Sequence, residues 1–332
     1  MGNSVKLINC LLPEEIIPLL PQNRGVVVII DSLVKTLYGS IFPFPQIEFN
    51  ATEQNKTLNQ VSHLTEKLLE LGTDRDSFIL VVGGGITTDI GAFTSSIYFR
   101  GVRFGLVPTT LLAQVDAAIG GKNGVNLLGY KNIAGVINQP EFTVLCPAFL
   151  ESLNKSDYLG GVAEMLKTLI IGDRESYFSA VQILSQTTDT KSIAPFIQKA
   201  AEIKASIVTR DMYESGERKL LNLGHTFAHA IEKESGIPHG HAVAAGIVIA
   251  AKLSVKLSLL NNAEAKQIED DFTKLGLPTT SPVNTIKLAE SIKRDKKKSG
   301  DTITFILMEK IGKCITHPVN IANLEEALYD LS

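Results

Sequence analysis

The chain has 332 residues, 44% of them hydrophobic and 20% charged, with 26 glycines and 13 prolines. That is ordinary globular usage at a length suited to two domains, and it excludes a largely disordered chain or one that needs disulfides to hold a core. Lys and Arg number 32 against 35 Asp and Glu, a net charge of −3, so no global field recruits nucleic acid or an anionic membrane.

Taken in order, 26–30 is a continuous β-branched run that ends at Asp31. Residues 57–71 place Leu58, Val61, Leu64, Leu68 and Leu71 at helical spacing. A second apolar run, 78–82, passes into Gly83-Gly84-Gly85, with Asp89 four residues beyond, and 103–107 and 142–145 are two more. Runs apolar on both faces suit strands covered by helices on either side, so the alternation predicts βαβ units around a parallel sheet. After about Pro147 the pattern turns helical, over 159–171, 192–209, 223–234, 241–260 and 263–275. Only 302–308 and 313–316 look extended near the end. The expected division is an α/β domain over 1–148 and a mainly helical domain over 149–332.

Cys10, Cys146 and Cys314 lie far apart with no metal-type spacing, which suits a reducing compartment. The start carries no cationic segment followed by an apolar run, and the longest apolar stretch, Ala242 to Ala251, is about half a bilayer span. A soluble cytoplasmic protein with no membrane or nucleic-acid partner is expected.

Gly83-Gly84-Gly85, between a strand and a helix, lets backbone approach a phosphate at a helix N-terminus. It lacks the G-x-G-x-x-G spacing, so it reads also as a tight turn without a ligand. His225 and His229 are four apart and share a helical face with Glu232. Such a pair can ligate a divalent metal, divide between ligand and acid/base, or simply line an amphipathic helix. His239 and His241 follow, placing four of the six histidines within 17 residues, which chance explains poorly. Glu164 and Lys167, one turn apart, read locally as an ordinary solvated ion pair. Gly120 to Asn126 is a glycine-rich loop bearing Lys122 and two amides, suited to an anionic small molecule or to a plain connection. Arg218 and Asn222 stand just ahead of the histidines, and the Arg294 to Lys298 run reads by default as a solvated basic patch.

The string from Gly83 to Asn132, containing Tyr98-Phe99-Arg100-Gly101-Val102-Arg103-Phe104 and Val107-Pro108-Thr109-Thr110-Leu111-Leu112-Ala113-Gln114-Val115-Asp116, closely resembles the 3-dehydroquinate synthase family of sugar-phosphate cyclases. The likeness continues through Gly161-Val162-Ala163-Glu164, Leu221-Asn222-Leu223-Gly224-His225-Thr226-Phe227, His239-Gly240 and Asp295-Lys296-Lys297, over roughly residues 25–312. The resemblance implies an N-terminal Rossmann-like NAD domain, a C-terminal helical metal domain and a homodimer. It implies conversion of 3-deoxy-D-arabino-heptulosonate 7-phosphate to 3-dehydroquinate and phosphate. NAD transiently oxidises C5, phosphate is eliminated, C5 is reduced again, and an intramolecular aldol reaction closes the ring.

By the same resemblance, Glu164, His225 and His239 match ligands of a zinc or cobalt ion. Asp31, Glu53, Lys56, Gly83, Gly84, Gly85, Asp89, Thr109, Thr110, Phe149 and Ser152 match NAD-contacting positions, with Lys122 and Lys131 beside them. His229, Lys167, Asp116 and Lys122 match catalytic positions. Lys131, Asn132, Lys204, Arg218, Asn222, Lys296 and Lys297 match substrate-binding ones, and Arg100 matches a phosphate-binding arginine that reaches in from the partner subunit. So many cations suit a substrate bearing a carboxylate and a phosphate. Three departures stand out: His241 where the family has Glu, Asn123 where it has Thr, and one residue fewer after Asp295-Lys296-Lys297. The alternatives are a related sugar-phosphate cyclase, an iron-type alcohol or glycerol dehydrogenase, and a catalytically silent NAD- or metal-binding module. Arg218, Asn222 and Lys204 speak against the first, the lack of any role for so many cations against the second, and only His241 speaks for the third.

Overall fold

The computed structural model describes residues 5–296 and 301–329. The chain folds as two units: one runs through Asn154 and takes in Lys204–Thr209, the other comprises Lys155–Ile203 and Arg210 onward.

In the first unit, β1 (Leu7–Asn9), β2 (Val26–Asp31), α1 (Ser32–Tyr38), β3 (Gln46–Phe49), α2 (Leu58–Glu70), β4 (Phe78–Gly83), α3 (Gly85–Ile97) and β5 (Arg103–Pro108) are followed by β6 (Lys122–Leu127), β7 (Tyr130–Ile137) and β8 (Thr143–Leu145). Six of the strands form one sheet, ordered β1-β8-β5-β4-β2-β3. Every pairing in it is parallel. Alternate residues of the central strands point to opposite faces and so into two cores. Val27, Ile29, Ile79, Val81, Phe104 and Leu106 join Leu64, Leu68 and Ile90 from α2 and α3. Val26, Val28, Ile30, Phe78, Leu80, Val82 and Val107 join Ile16, Phe42 and Phe149. Each such fully buried side chain contributes roughly 1.5–3 kcal/mol, which explains why these runs are apolar throughout.

The glycine-rich stretch read as a loop is largely strand. β6 pairs antiparallel with β7, Lys122 opposite Ile137 and Val125 opposite Ala134. β7 is exposed along most of its length, so it shows no apolar run by which a sequence could announce it.

The second unit contains α4 (Lys155–Gly172), α5 (Arg174–Leu184), α6 (Thr190–Arg210), α7 (His225–Ser235), α8 (His239–Lys256), α9 (Asn262–Lys274), α10 (Thr285–Lys296), the hairpin β9 (Thr302–Lys310) with β10 (Lys313–Asn320), and α11 (Leu324–Leu328). The last turns of α6 group with the first unit. The apolar run from Ala242 to Ala251 is the buried axis, α8, packed against α4, α7, α9 and β9. Two glycine contacts set its approach. A Cβ on Gly240 would lie 2.3 Å from Gly160 Cα on α4, and one on Gly246 would lie 2.3 Å from the carbonyl oxygen of Gly224, just ahead of α7. Gly224 also takes φ 78°, a conformation that costs any residue with a Cβ. Among the described residues no helix is long and apolar enough to cross a membrane.

Candidate active site

The sequence-predicted residues fall into two groups, one in each unit. In the first unit, Gly83 ends β4, Gly84 is the N-cap of α3 and Gly85 opens it, while Thr109 donates its backbone N–H to Gly83 at 3.0 Å. Behind this turn, Lys56 is buried and ion-paired to Asp89, and its Nζ lies 2.6 Å from Asn132 Oδ1. Burial pushes the Asp89 carboxyl up to about 6, against the downward pull of the Lys56 ammonium.

Asn126, one of the two amides of the glycine-rich stretch, joins this group to Glu53. Its Oδ1 accepts from the backbone N–H of Asn132 at 2.9 Å, and its Nδ2 donates to Glu53 Oε1 at 2.8 Å. Asn132 is held there at φ 53°, a left-handed backbone that amides tolerate better than most residues. Lys131 precedes it on β7, whereas Lys122 opens β6 and pairs with Ile137 at the other end of the hairpin.

Asp31 caps α1, its Oδ1 accepting from Leu33 and Val34. Thr110 Oγ1 accepts from the N–H of Ala113 at 3.2 Å. Tyr38 packs edge-on against Phe149 at 4.9 Å and donates to Ser152 Oγ at 3.1 Å. Asp116 is ion-paired to Lys204 of α6, whose Nζ also donates to the Asp116 carbonyl at 2.8 Å. Arg100 is exposed in a turn where both it and Phe99 adopt positive φ, 66° and 47°. Two adjacent non-glycine residues in that region store strain of the kind seen at functional positions.

In the second unit, Glu164 and Lys167 are not solvated. Both side chains are 1% exposed, with Lys167 Nζ 2.6 Å from Glu164 Oε2. Desolvating such a pair is costly, and sequence spacing alone cannot distinguish it from a surface pair. Glu164 Oε1, without a hydrogen-bond partner, faces His239 Nε2 at 3.5 Å and His225 Nε2 at 3.7 Å. These three residues offer ligand atoms within 4.8 Å of one another. The Gly160–Gly240 contact lies one turn before Glu164 and next to His239, and the Gly224–Gly246 contact lies next to His225, so the close helix approaches assemble the cluster.

Burial pushes the His225 imidazole down to about 3, helped by the Lys167 ammonium, so the ring is neutral and keeps a lone pair for a cation. Burial also opposes a proton on His239, but the Glu164 and Glu232 carboxylates outweigh it and raise that ring to about 9. Burial works against ionisation of Glu164, yet Lys167 and the two imidazoles hold it well below the usual carboxylate range. A buried carboxylate oxygen facing the Nε2 atoms of two imidazoles fits a divalent cation, which would replace the proton that His239 otherwise holds. His229, one turn along α7, has its ring 5.6 Å from that of His225. His241 Nε2 instead faces Ser156, 3.2 Å from its carbonyl oxygen and 3.5 Å from its hydroxyl.

The buried Arg218 donates to the Met212 carbonyl at 2.6 Å, and Asn222 Nδ2 to Glu214 Oε1 at 2.5 Å. Their loop is wound around Asp211, whose carboxylate accepts from the backbone N–H groups of Ser215, Gly216 and Arg218. Sequence reasoning passed over Asp211 and Glu214, though acidic residues in a glycine- and serine-bearing turn are the signal for such a loop. Lys296 closes α10, and Lys297 and Lys298 lie outside the described residues.

Two family models match the chain, 3-dehydroquinate synthase N-terminal over residues 46–159 and 3-dehydroquinate synthase C-terminal over residues 161–298. The 3-dehydroquinate synthase of Pyrococcus furiosus is 41% identical over 276 residues, spanning 82% of this chain and 78% of that protein. Among solved structures, 2-epi-5-epi-valiolone synthase of Streptomyces hygroscopicus, with NAD+ and Zn2+ bound, has a TM-score of 0.88 at 24% identity, over 100% of this chain and 97% of that one. A 2-deoxy-scyllo-inosose synthase complexed with carbaglucose-6-phosphate, NAD+ and Co2+ has a TM-score of 0.85 at 24% identity, over 99% of each chain. The fold is the one these two synthases share. Within it, the chain belongs to the 3-dehydroquinate synthase family.

Proposed function

We propose that the chain is a phosphate-eliminating carbon–oxygen lyase that converts 3-deoxy-D-arabino-heptulosonate 7-phosphate to 3-dehydroquinate and phosphate in aromatic amino-acid biosynthesis. The observation that carries this reading is the 41% identity to a 3-dehydroquinate synthase over 82% of the chain. When bound, NAD would supply a reversible acceptor for the hydride on the carbon bearing a substrate hydroxyl, whose O–H proton leaves separately, and a divalent metal would polarise the neighbouring diol.

Glu164, His225 and His239 would hold the metal, zinc or cobalt, through one carboxylate and two imidazoles. The start of α3, at Gly84 and Gly85, offers backbone N–H groups and a positive helix end to a dinucleotide phosphate. Tyr38, Phe149 and Ser152 line one flank of that nucleotide, and Glu53, Lys56, Asp89, Thr109 and Thr110 hold its polar groups. Arg218, Asn222 and Lys204 take the substrate carboxylate and hydroxyls, assisted by Asp116 and Lys167. Lys122, Lys131, Asn132, His229, Lys296 and Lys297 take its phosphate. Elimination can use the phosphate as its own base, so these residues chiefly hold the reacting groups in place. The protein works in the cytoplasm, where its three cysteines, all free and buried, stay reduced, and as a homodimer in which Arg100 completes the partner's site.

Phosphate release is measured from 3-deoxy-D-arabino-heptulosonate 7-phosphate with and without NAD+, before and after chelation. Release that needs both and leaves no net NADH, with 3-dehydroquinate as product, is expected. Net NADH would replace this reading with a dehydrogenase, and no release from folded, metal-loaded protein would point to another sugar phosphate.

A further inference from the structure

The two imidazoles of the cluster are aimed by different groups. His225 Nδ1 lies 3.2 Å from the Leu223 carbonyl oxygen, which only accepts, so that nitrogen carries the proton and Nε2 is left toward Glu164. His239 Nδ1 instead lies 3.1 Å from a carboxylate oxygen, Glu232 Oε2, while its Nε2 faces Glu164. Glu232 sits two turns along α7 from His225. One helix therefore carries one imidazole of the cluster and the carboxylate that contacts the other, across to the first residue of α8.

We propose that Glu232 is a positioning residue for the metal centre, its carboxylate accepting from His239 Nδ1–H and so fixing the tautomer that presents Nε2 to the ion. The inference rests on the metal-binding reading above. His239 needs such a holder more than His225 does: its side chain is 37% exposed against 13%, so packing restrains it less. A carboxylate beyond an imidazole also makes the ring a better donor, which a backbone carbonyl does more weakly.

The test measures Zn2+ affinity of the full chain by competition with a chromophoric chelator, and the visible spectrum of the Co2+-loaded protein. The Glu232→Ala variant should bind Zn2+ roughly 10–100-fold more weakly and show altered Co2+ bands. Glu232→Asp, which keeps the charge but falls short of the ring, should be impaired too. Glu232→Gln, whose amide oxygen can still accept from Nδ1–H, should recover to within about tenfold of wild type. Wild-type affinity and spectrum in both Glu232→Ala and Glu232→Asp would overturn the proposal, and the Asp variant alone decides if the Ala variant does not fold. A wild-type chain that binds no Zn2+, with His225→Ala indistinguishable from it, would instead overturn the metal reading and this inference with it.

Discussion

At the scale of single residues, two of the ion pairs with a buried lysine respond differently to their burial. Asp89 keeps a carboxyl pKa of about 6 although Lys56 is paired with it, because desolvation outweighs the ammonium. The sign follows from proton counting. Between its ordinary value of 3.8 and about 6 the native state binds a proton that the unfolded chain releases. Stability contributed at this position therefore falls as pH rises through that window, by about 3 kcal/mol in all, and stays lower above it. Asp89→Asn abolishes the titration. Urea unfolding from pH 4 to 7 should show the variant gaining on wild type as pH increases, on top of a pH-independent offset from exchanging the neutral carboxyl for an amide. A difference that does not vary with pH would contradict the assignment. Glu164 is the opposite case, a carboxylate kept ionised in the interior by Lys167 and two imidazoles. Lys167→Met should cost the metal-free protein about 3–5 kcal/mol, since a buried charge loses its main partner. Saturating Zn2+ should recover much of that loss by supplying a new counter-charge. Thermal unfolding of both proteins with and without the ion checks this, and an equal cost in the two states would count against a cation at Glu164.

At the scale of elements, the cluster depends on how closely three helices approach. His225 and His239 are the first residues of α7 and α8, and each neighbours a glycine whose missing Cβ lets the backbones meet. Gly240→Ala would place a methyl 2.3 Å from Gly160 Cα, a contact that only movement of α8 away from α4 can relieve. The expected cost is roughly 1–3 kcal/mol, with weakened Zn2+ binding because His239 moves with its helix. Gly236→Ala is the control: no atom lies within 4 Å of its Cβ, but φ 71° gives it a left-handed strain of about 1–2 kcal/mol. It should lower stability without changing the metal affinity, measured by the same chelator competition. These elements also show what the sequence makes legible. β2 and β4 declare themselves because both faces are buried, and α8 because its apolar run is a helix-bundle axis. The exposed β7 and the three-residue β1 carry no such pattern. The crowding of histidines is visible in the chain, whereas burial of Glu164 and Lys167 is not, because an i,i+3 pair is spaced identically on a surface and in a core. The resemblance singled out those two residues where periodicity could not.

At the scale of the whole molecule, sequence shows an α/β half followed by a helical half, and each unit holds one part of the proposed machinery. A linear reading cannot show that Lys204–Thr209, the end of a long helix, groups with the first unit, since that membership is a matter of packing. It brings Lys204 onto Asp116, two residues 88 apart that the resemblance had assigned to one substrate. The proposed dimer extends the argument to two chains. If Arg100 acts on the partner's phosphate site, its strained, exposed turn serves a molecule other than its own, and two inactive variants should rescue each other. Arg100→Ala lacks the reaching cation but keeps its metal ligands, and His225→Ala has the reverse defect. In a mixed dimer the subunit with intact ligands receives Arg100 from the His225→Ala chain, while the other site lacks both groups. Subunit exchange between equal amounts of the two should therefore restore about one quarter of wild-type phosphate release, half the dimers being mixed and half their sites intact. Exchange is followed independently by mass-tagged subunits. Full mixing with no recovered activity would show that Arg100 serves its own subunit, and substantial activity in Arg100→Ala alone would remove it from the site.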